Sequence, residues 1–137
     1  MVNVVIADDH RLVREAWALL LKRDKRISIT GIVDNGRDVI DFCRRNSPDI
    51  ILMDINMEPT NGVDATKEIR SFNDSVKIIG ISVHSDLSYV NTLIQAGANG
   101  YVTKNSSGTE MLQAIFEVMD GKQYICKEIS ESGVSSQ

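Results

Sequence analysis

Five residues with chemistry to offer stand at the ends of successive apolar runs. Asp8 and Asp9 close "VNVVIADD", Asp54 closes "IILMD", Ser82 closes "VKIIGIS", and Lys104 follows "GYVT". A carboxylate at the end of residues 50–53 (Ile, Ile, Leu, Met) needs a reason, because a buried charge is costly unless it is paired, hydrogen-bonded or holding a metal. Three carboxylates brought to one edge repel one another, and a divalent cation relieves that repulsion. Mg2+ prefers oxygen ligands and typically takes one or two carboxylates together with a phosphate. Lys104 adds a positive charge able to neutralise a phosphoryl oxygen. An Asp between such partners can act as a nucleophile and form an aspartyl phosphate. Asp54 is the residue so placed.

Taken singly, each residue has an ordinary reading. Asp9 just before a helix is a good N-cap, Lys104 a solvated surface lysine, and Ser82 a small strand-end residue. Met53 and Met57 read as packing residues. His10 and His84 lack metal-ligand spacing and read as solvent-facing or as supporting neighbours of a site. Only the joint occurrence at successive strand ends points to chemistry.

Those ends converge only if the intervening elements bring them together. Residues 2–7, 27–33, 49–53, 76–82 and 100–103 are short β-branched runs of strand length, and helical patterns alternate with them. In the first helix Leu12, Val13, Ala16, Leu19 and Leu20 share one face, read as inward. Arg11, Arg14, Glu15, Ala18 and Lys22 share the other. In the second, Val39, Ile40, Phe42 and Cys43 face inward. Asn61 is a candidate cap for the third. The fourth presents Leu87, Val90, Leu93 and Ile94, with Gly97 as its stop. Ser107 and Glu110 fit a capping box for the fifth, whose stripe is Met111, Leu112, Ile115, Val118 and Met119. Five strands alternating with five helices predict an α/β fold: one doubly wound parallel sheet covered on both faces. In such sheets ligands bind outside the carboxyl ends of the strands. The flavodoxin-like order 2-1-3-4-5 would set strands one and three side by side. From about Gly121 the periodicity fades, and residues 122–137 read as a tail or the start of a linker.

The 137 residues suit a single domain, 42% hydrophobic and 25% charged. A formal net charge of -4 argues against direct nucleic-acid binding, which needs a basic footprint. Cys43 and Cys126 lack a CxxC partner, and Cys43 on its helical stripe reads as a free core thiol. No stretch approaches the length of a membrane span, and the N-terminus lacks a basic, cleavable leader. The expected location is the cytoplasm.

"VVIADDH", "IILMDINM", "IGISVHSD" and "GYVTK" resemble, in order and spacing, the receiver domain of two-component response regulators. The likeness covers residues 1–121, and "ADDHRLVREAW" and "AGANGYVTKNSS" are most similar to the LuxR/NarL branch, whose receivers precede a DNA-binding domain. The resemblance implies that Asp54 takes its phosphoryl group from a sensor histidine kinase. It implies Mg2+ on Asp8, Asp9, Asp54 and the Asn56 carbonyl. It makes Ser82 the switch hydroxyl, Tyr101 the aromatic that follows it, and Lys104 and the Val83 N–H contacts of the phosphoryl group. The output face would be the fourth helix, fifth strand and fifth helix, acting on a DNA-binding effector domain or through a phosphorylation-dependent homodimer. One position departs from the pattern: where the family usually has Pro, four places after the acceptor, stands Glu58, with Pro59 next.

Other readings fit less well. A dehalogenase-type phosphatase would need a second Asp where Asn56 stands, and its nucleophile after the first strand. A flavin binder would need hydroxyls where "ADDH" would repel a phosphate. A P-loop enzyme lacks GxxxxGK[ST]. A stand-alone receiver, or a pseudo-receiver that only binds partners, stays open, although no member of the acid, Ser and Lys set is missing.

Overall fold

The computed structural model describes residues 1–83 and 87–134. Its strands are β1 (Val2–Ala7), β2 (Ile27–Val33), β3 (Ile50–Asp54), β4 (Lys77–Ser82), β5 (Gly100–Thr103) and β6 (Tyr124–Ile125). The helices are α1 (Arg11–Lys22), α2 (Gly36–Arg45), α3 (Gly62–Arg70), α4 (Leu87–Ala96), α5 (Gly108–Met119) and α6 (Lys127–Val134). All strand pairings are parallel, in the order β2-β1-β3-β4-β5-β6. The doubly wound sheet expected from the alternation of patterns is present, with its 2-1-3-4-5 core. Helix α1 packs beside α5, while α2 packs on α3 and α3 on α4, so both faces are covered. The central strands are therefore apolar throughout: Ile50, Ile51, Leu52 and Met53 are all fully buried. No helix of the described residues is long and apolar enough to cross a membrane.

Three local expectations are corrected. The first concerns α1, whose buried residues are Trp17, Ala18 and Leu21, whereas Leu12, Leu19 and Leu20 are exposed. The helix carries two overlapping apolar stripes. The 17-18-21 stripe faces the sheet, and in this orientation Arg14 donates from Nη1 to the Asp8 carbonyl at 2.8 Å.

The second concerns the chain after Gly121, which is not a loose tail through residue 130. Its N–H groups at Tyr124 and Cys126 donate to the carbonyls of Asn99 and Tyr101, adding a sixth strand at the β5 edge. Cys126 and Ile129 are buried and join the core, and α6 follows. Two residues are too few to show a strand period, which is why the sequence pattern fades there.

The third is the α5 cap. Ser107 Oγ accepts the Glu110 N–H at 3.0 Å as expected, but the Glu110 carboxylate does not close the box. It accepts instead from the Tyr124 hydroxyl and the Lys127 N–H, each at 2.8 Å, and so holds the start of α6.

Candidate functional site

The register of the sheet sets the chemistry-bearing residues at one edge. Ala7 lies beside Met53 and Asp54 beside Ile81, so Asp8 emerges next to the Asp54 end of β3. Ser82 pairs with Thr103, which places Lys104 one step further along. Each is held by its own backbone bonds. Asp8 N–H donates to Val33 O at 3.1 Å, and Asp8 Oδ1 accepts the His10 N–H at 2.8 Å. Asp54 Oδ1 accepts the Asn56 N–H at 3.0 Å, fixing the carboxylate plane. Lys104 N–H donates to Ser82 O at 2.8 Å.

Asp8 and Asp54 have no exposed surface, while Asp9 stands at the rim. Lys104 Nζ lies 3.4 Å from Asp54 Oδ2 and 3.5 Å from Asp8 Oδ2. The Asp54 carboxyl is pushed above the usual carboxylate range, first by burial and then by the neighbouring Asp8 charge. The Asn56 N–H and the Lys104 ammonium oppose that rise. Asp9 does not cap α1: the N-cap is His10, which makes no side-chain cap bond. The ordinary reading of Asp9 therefore does not hold, and its carboxylate faces the cluster instead.

Ser82 is buried, and the Asn56 amide donates to its hydroxyl at 3.3 Å. The Tyr101 ring is also fully buried, and its hydroxyl lies within hydrogen-bonding reach of Ser82. Burial raises the Tyr101 phenol, and the Ser82 contact counters it. Val83 lies just past β4 and is exposed. Glu58, joined to Pro59 by a cis peptide, lines an open groove of about 910 Å³ with Asn56, Asn61, Ser88 and Tyr89. It is not among the carboxylates that could share an ion. Asn61 caps α3 as expected, accepting the Asp64 N–H at 2.8 Å.

His10 is the residue that sequence spacing missed. Its side chain is well exposed, yet Nδ1 lies 3.0 Å from Asp9 Oδ1, 3.3 Å from Asp8 Oδ1 and 3.7 Å from Asp54 Oδ2. Spacing rules detect ligands carried by one element, whereas this cluster is assembled from two strand ends. His84 lies outside the described residues.

Residues 4–116 match the response regulator receiver domain family. The chain belongs to that family. It is 36% identical over all 137 residues to the response regulator UvrY of Escherichia coli, covering 63% of that protein. It is 34% identical over 131 residues to the response regulator GacA of Pseudomonas aeruginosa, 96% of this chain and 61% of GacA. The chain thus spans less than two thirds of these relatives. Among solved structures, a LuxR-family regulator from an Aurantimonas species superposes with a TM-score of 0.90 at 28% identity, covering 94% of this chain and 92% of that one. The receiver domain of the putative regulator NarL from Mycobacterium tuberculosis gives 0.85 at 29% identity, covering 88% of this chain and 98% of that one. The protein is thus a signalling receiver of the LuxR/NarL type.

The donor set of this receiver fits a divalent cation. One atom each from Asp8, Asp9, His10 and Asp54 lie within 4.8 Å of one another. Asp8 Oδ2 is buried and accepts no hydrogen bond, its positive neighbour being the Lys104 ammonium at 3.5 Å.

Proposed function

We propose that Asp54 accepts a phosphoryl group from the phosphohistidine of a sensor histidine kinase, in a Mg2+-dependent transfer. The observation that carries this is the buried Asp54 carboxylate with Lys104 Nζ at 3.4 Å and Asp8 and Asp9 beside it. An Asp54 oxygen bonds to phosphorus while the phosphorus–nitrogen bond of the donor breaks, and its electron pair leaves with the imidazole. The Asn56 N–H holds the attacking carboxylate in a fixed plane. Lys104, held by its backbone bond to β4, neutralises charge on a phosphoryl oxygen. Mg2+ would be held by Asp8, Asp9, Asp54 and the Asn56 carbonyl, and when bound it neutralises the carboxylates and the transferring group.

Ser82 and the Val83 N–H then meet the phosphoryl oxygens. A Ser82 hydroxyl drawn to them breaks its contact with Tyr101, and this alters the packing of α4, β5 and α5. The unit that responds runs past residue 121 through the packed residues 124–130, beyond which the chain would lead to an output. By the resemblance to the LuxR/NarL branch that output is a DNA-binding regulator domain, with a phosphorylation-dependent homodimer as intermediate. The chain itself works in the cytoplasm and contributes no nucleic-acid surface. Its only chemistry is gain and loss of its own phosphoryl group.

The test is acetyl phosphate with Mg2+, followed by intact mass of wild type and Asp54→Asn. One phosphoryl addition is expected in wild type and none in the variant. Equal incorporation in both would overturn the assignment.

A further inference from the structure

The Lys104 ammonium stands closer to a ring nitrogen than to either carboxylate it faces. Nζ lies 2.9 Å from His10 Nδ1, against 3.4 Å from Asp54 Oδ2 and 3.5 Å from Asp8 Oδ2. An ammonium bonded to a carboxylate ordinarily sits about 2.7–2.9 Å from it, so Lys104 is held back from both acids. We propose that His10 is a positioning residue for the phosphoryl transfer. Its ring keeps the Lys104 ammonium clear of the Asp54 oxygen that attacks phosphorus, then yields it to the phosphoryl group. The proposal rests on the reading of Asp54 as the phosphoacceptor.

Chemistry fixes the direction of the bond between the two side chains. An ammonium has three donors and no lone pair, so Nδ1 accepts and the ring proton sits on Nε2. The ring is well exposed, which leaves Nε2–H to water. A proton on Nδ1 would serve Asp9 Oδ1 at 3.0 Å, but it would set two donors face to face at 2.9 Å. Asp9 stands at the rim, where water can satisfy its carboxylate instead.

Both partners are anchored through their backbones. His10 N–H donates to Asp8 Oδ1 at 2.8 Å, and the ring makes no capping bond to α1. Lys104 N–H donates to Ser82 O at 2.8 Å. Between those anchors the flexible Lys104 stem can set Nζ against the ring or against the acids. Without the ring, the ammonium would close on Asp54 Oδ2 and Asp8 Oδ2. It would then occupy the lone pair that must reach phosphorus, and Asp54 would be the poorer nucleophile. With the ring in place, the bond given up at transfer lacks the charge–charge attraction of an ion pair. Lys104 exchanges it readily for a phosphoryl oxygen.

The experiment follows phosphoryl uptake from acetyl phosphate and Mg2+ by intact mass. It compares wild type, His10→Ala, His10→Asn, Lys104→Ala and the double variant His10→Ala/Lys104→Ala, each checked for folding by its amide spectrum. Asn places an acceptor oxygen where Nδ1 stands. His10→Ala should slow uptake at saturating donor roughly tenfold, and His10→Asn should recover to within about threefold of wild type. In the Lys104→Ala background, loss of His10 should change the rate by less than about twofold, because its effect passes through the ammonium. A merely structural His10 would slow both backgrounds alike. Equal loss in both backgrounds, no loss in His10→Ala, or a His10→Asn as slow as His10→Ala overturns the positioning role and leaves Asp54 as the acceptor. Uptake that persists undiminished in Asp54→Asn overturns the acceptor reading, and the His10 role falls with it.

Discussion

Gly62 presses its backbone against that of Asp54. A Cβ at position 62 would lie 2.5 Å from the Asp54 carbonyl oxygen and 2.6 Å from the Ile55 Cα. The N-terminus of α3 is thus seated on the end of β3, and Gly62 N–H donates to Ile55 O at 3.1 Å. Only glycine permits so close an approach of two backbones. Gly62→Ala gains roughly 1 kcal/mol of helix propensity, but backbone cannot yield as a side chain can. Overpacking should cost about 1–3 kcal/mol. The variant is expected to unfold at lower urea concentration and to take up phosphoryl groups more slowly, because the Asp54 carbonyl must shift. An unchanged midpoint would mean that α3 slides away freely.

Asp54 carries its own stability signature. Burial and the Asp8 charge raise its pKa, so the folded chain binds more protons than the unfolded one between the ordinary Asp value and the raised value. Stability therefore falls as pH climbs through that window and is flat above it. Asp54→Asn has no such fall. In EDTA the variant should match wild type near pH 4 and exceed it at pH 7 by roughly 1 kcal/mol or more. Mg2+ should close the gap by stabilising wild type. Urea midpoints across pH test this, and a wild type more stable than Asp54→Asn at pH 7 without metal would refute it.

Lys104 is nearly buried, and its ammonium is the nearest positive side chain to both Asp8 and Asp54. Lys104→Ala leaves those carboxylates facing one another without compensation. A loss of about 1–3 kcal/mol is expected in EDTA, with Mg2+ affinity at least equal to wild type because a repelling charge is gone. Phosphoryl incorporation should slow. Calorimetric titration and urea melts separate the two effects, and a fall in Mg2+ affinity would mean that Lys104 positions the ligands instead.

Much of this site was legible because the apolar runs of β1, β3, β4 and β5 each give way to a polar residue at or just past the strand end. Asp8, Asp54, Ser82 and Lys104 each break a pattern, and a parallel sheet aligns those breaks. The α1 face was not legible, since 12-13-16-19-20 and 14-17-18-21 are both acceptable stripes. The second buries Trp17, Ala18 and Leu21, and with it goes the Arg14 bond to the Asp8 carbonyl, a contact made through three dimensions. His10 escaped for the same reason. Its neighbours Asp8 and Asp9 are adjacent in sequence, but the Asp54 oxygen that completes the group comes from another strand. The third-strand loop, with Glu58 and its cis peptide to Pro59, departs from the family's usual proline position without adding Glu58 to the acidic cluster.

Glu110 ties the last described helix to the rest of the receiver. Its carboxylate accepts from the Tyr124 hydroxyl and from the Lys127 N–H at the first turn of α6. A second tie runs from the Thr103 hydroxyl to Glu128 Oε1 at 2.8 Å, one residue before Lys104. The carboxylate also lies near the positive end of the α6 dipole, where a negative charge is favoured. Glu110→Ala should therefore loosen β6 and α6 without melting the sheet. A loss of about 1–2 kcal/mol is expected, local rather than global. The informative amides are Cys126, bonded to Tyr101 O, and Ile129 and Ser130, both bonded to Cys126 O. Hydrogen exchange at these three should speed by roughly tenfold or more, while Ile51 and Leu52 in β3 keep their protection. Uniform acceleration across all five would show that Glu110 supports the whole fold, and no acceleration at Ser130 would show that α6 is held by its apolar contacts alone.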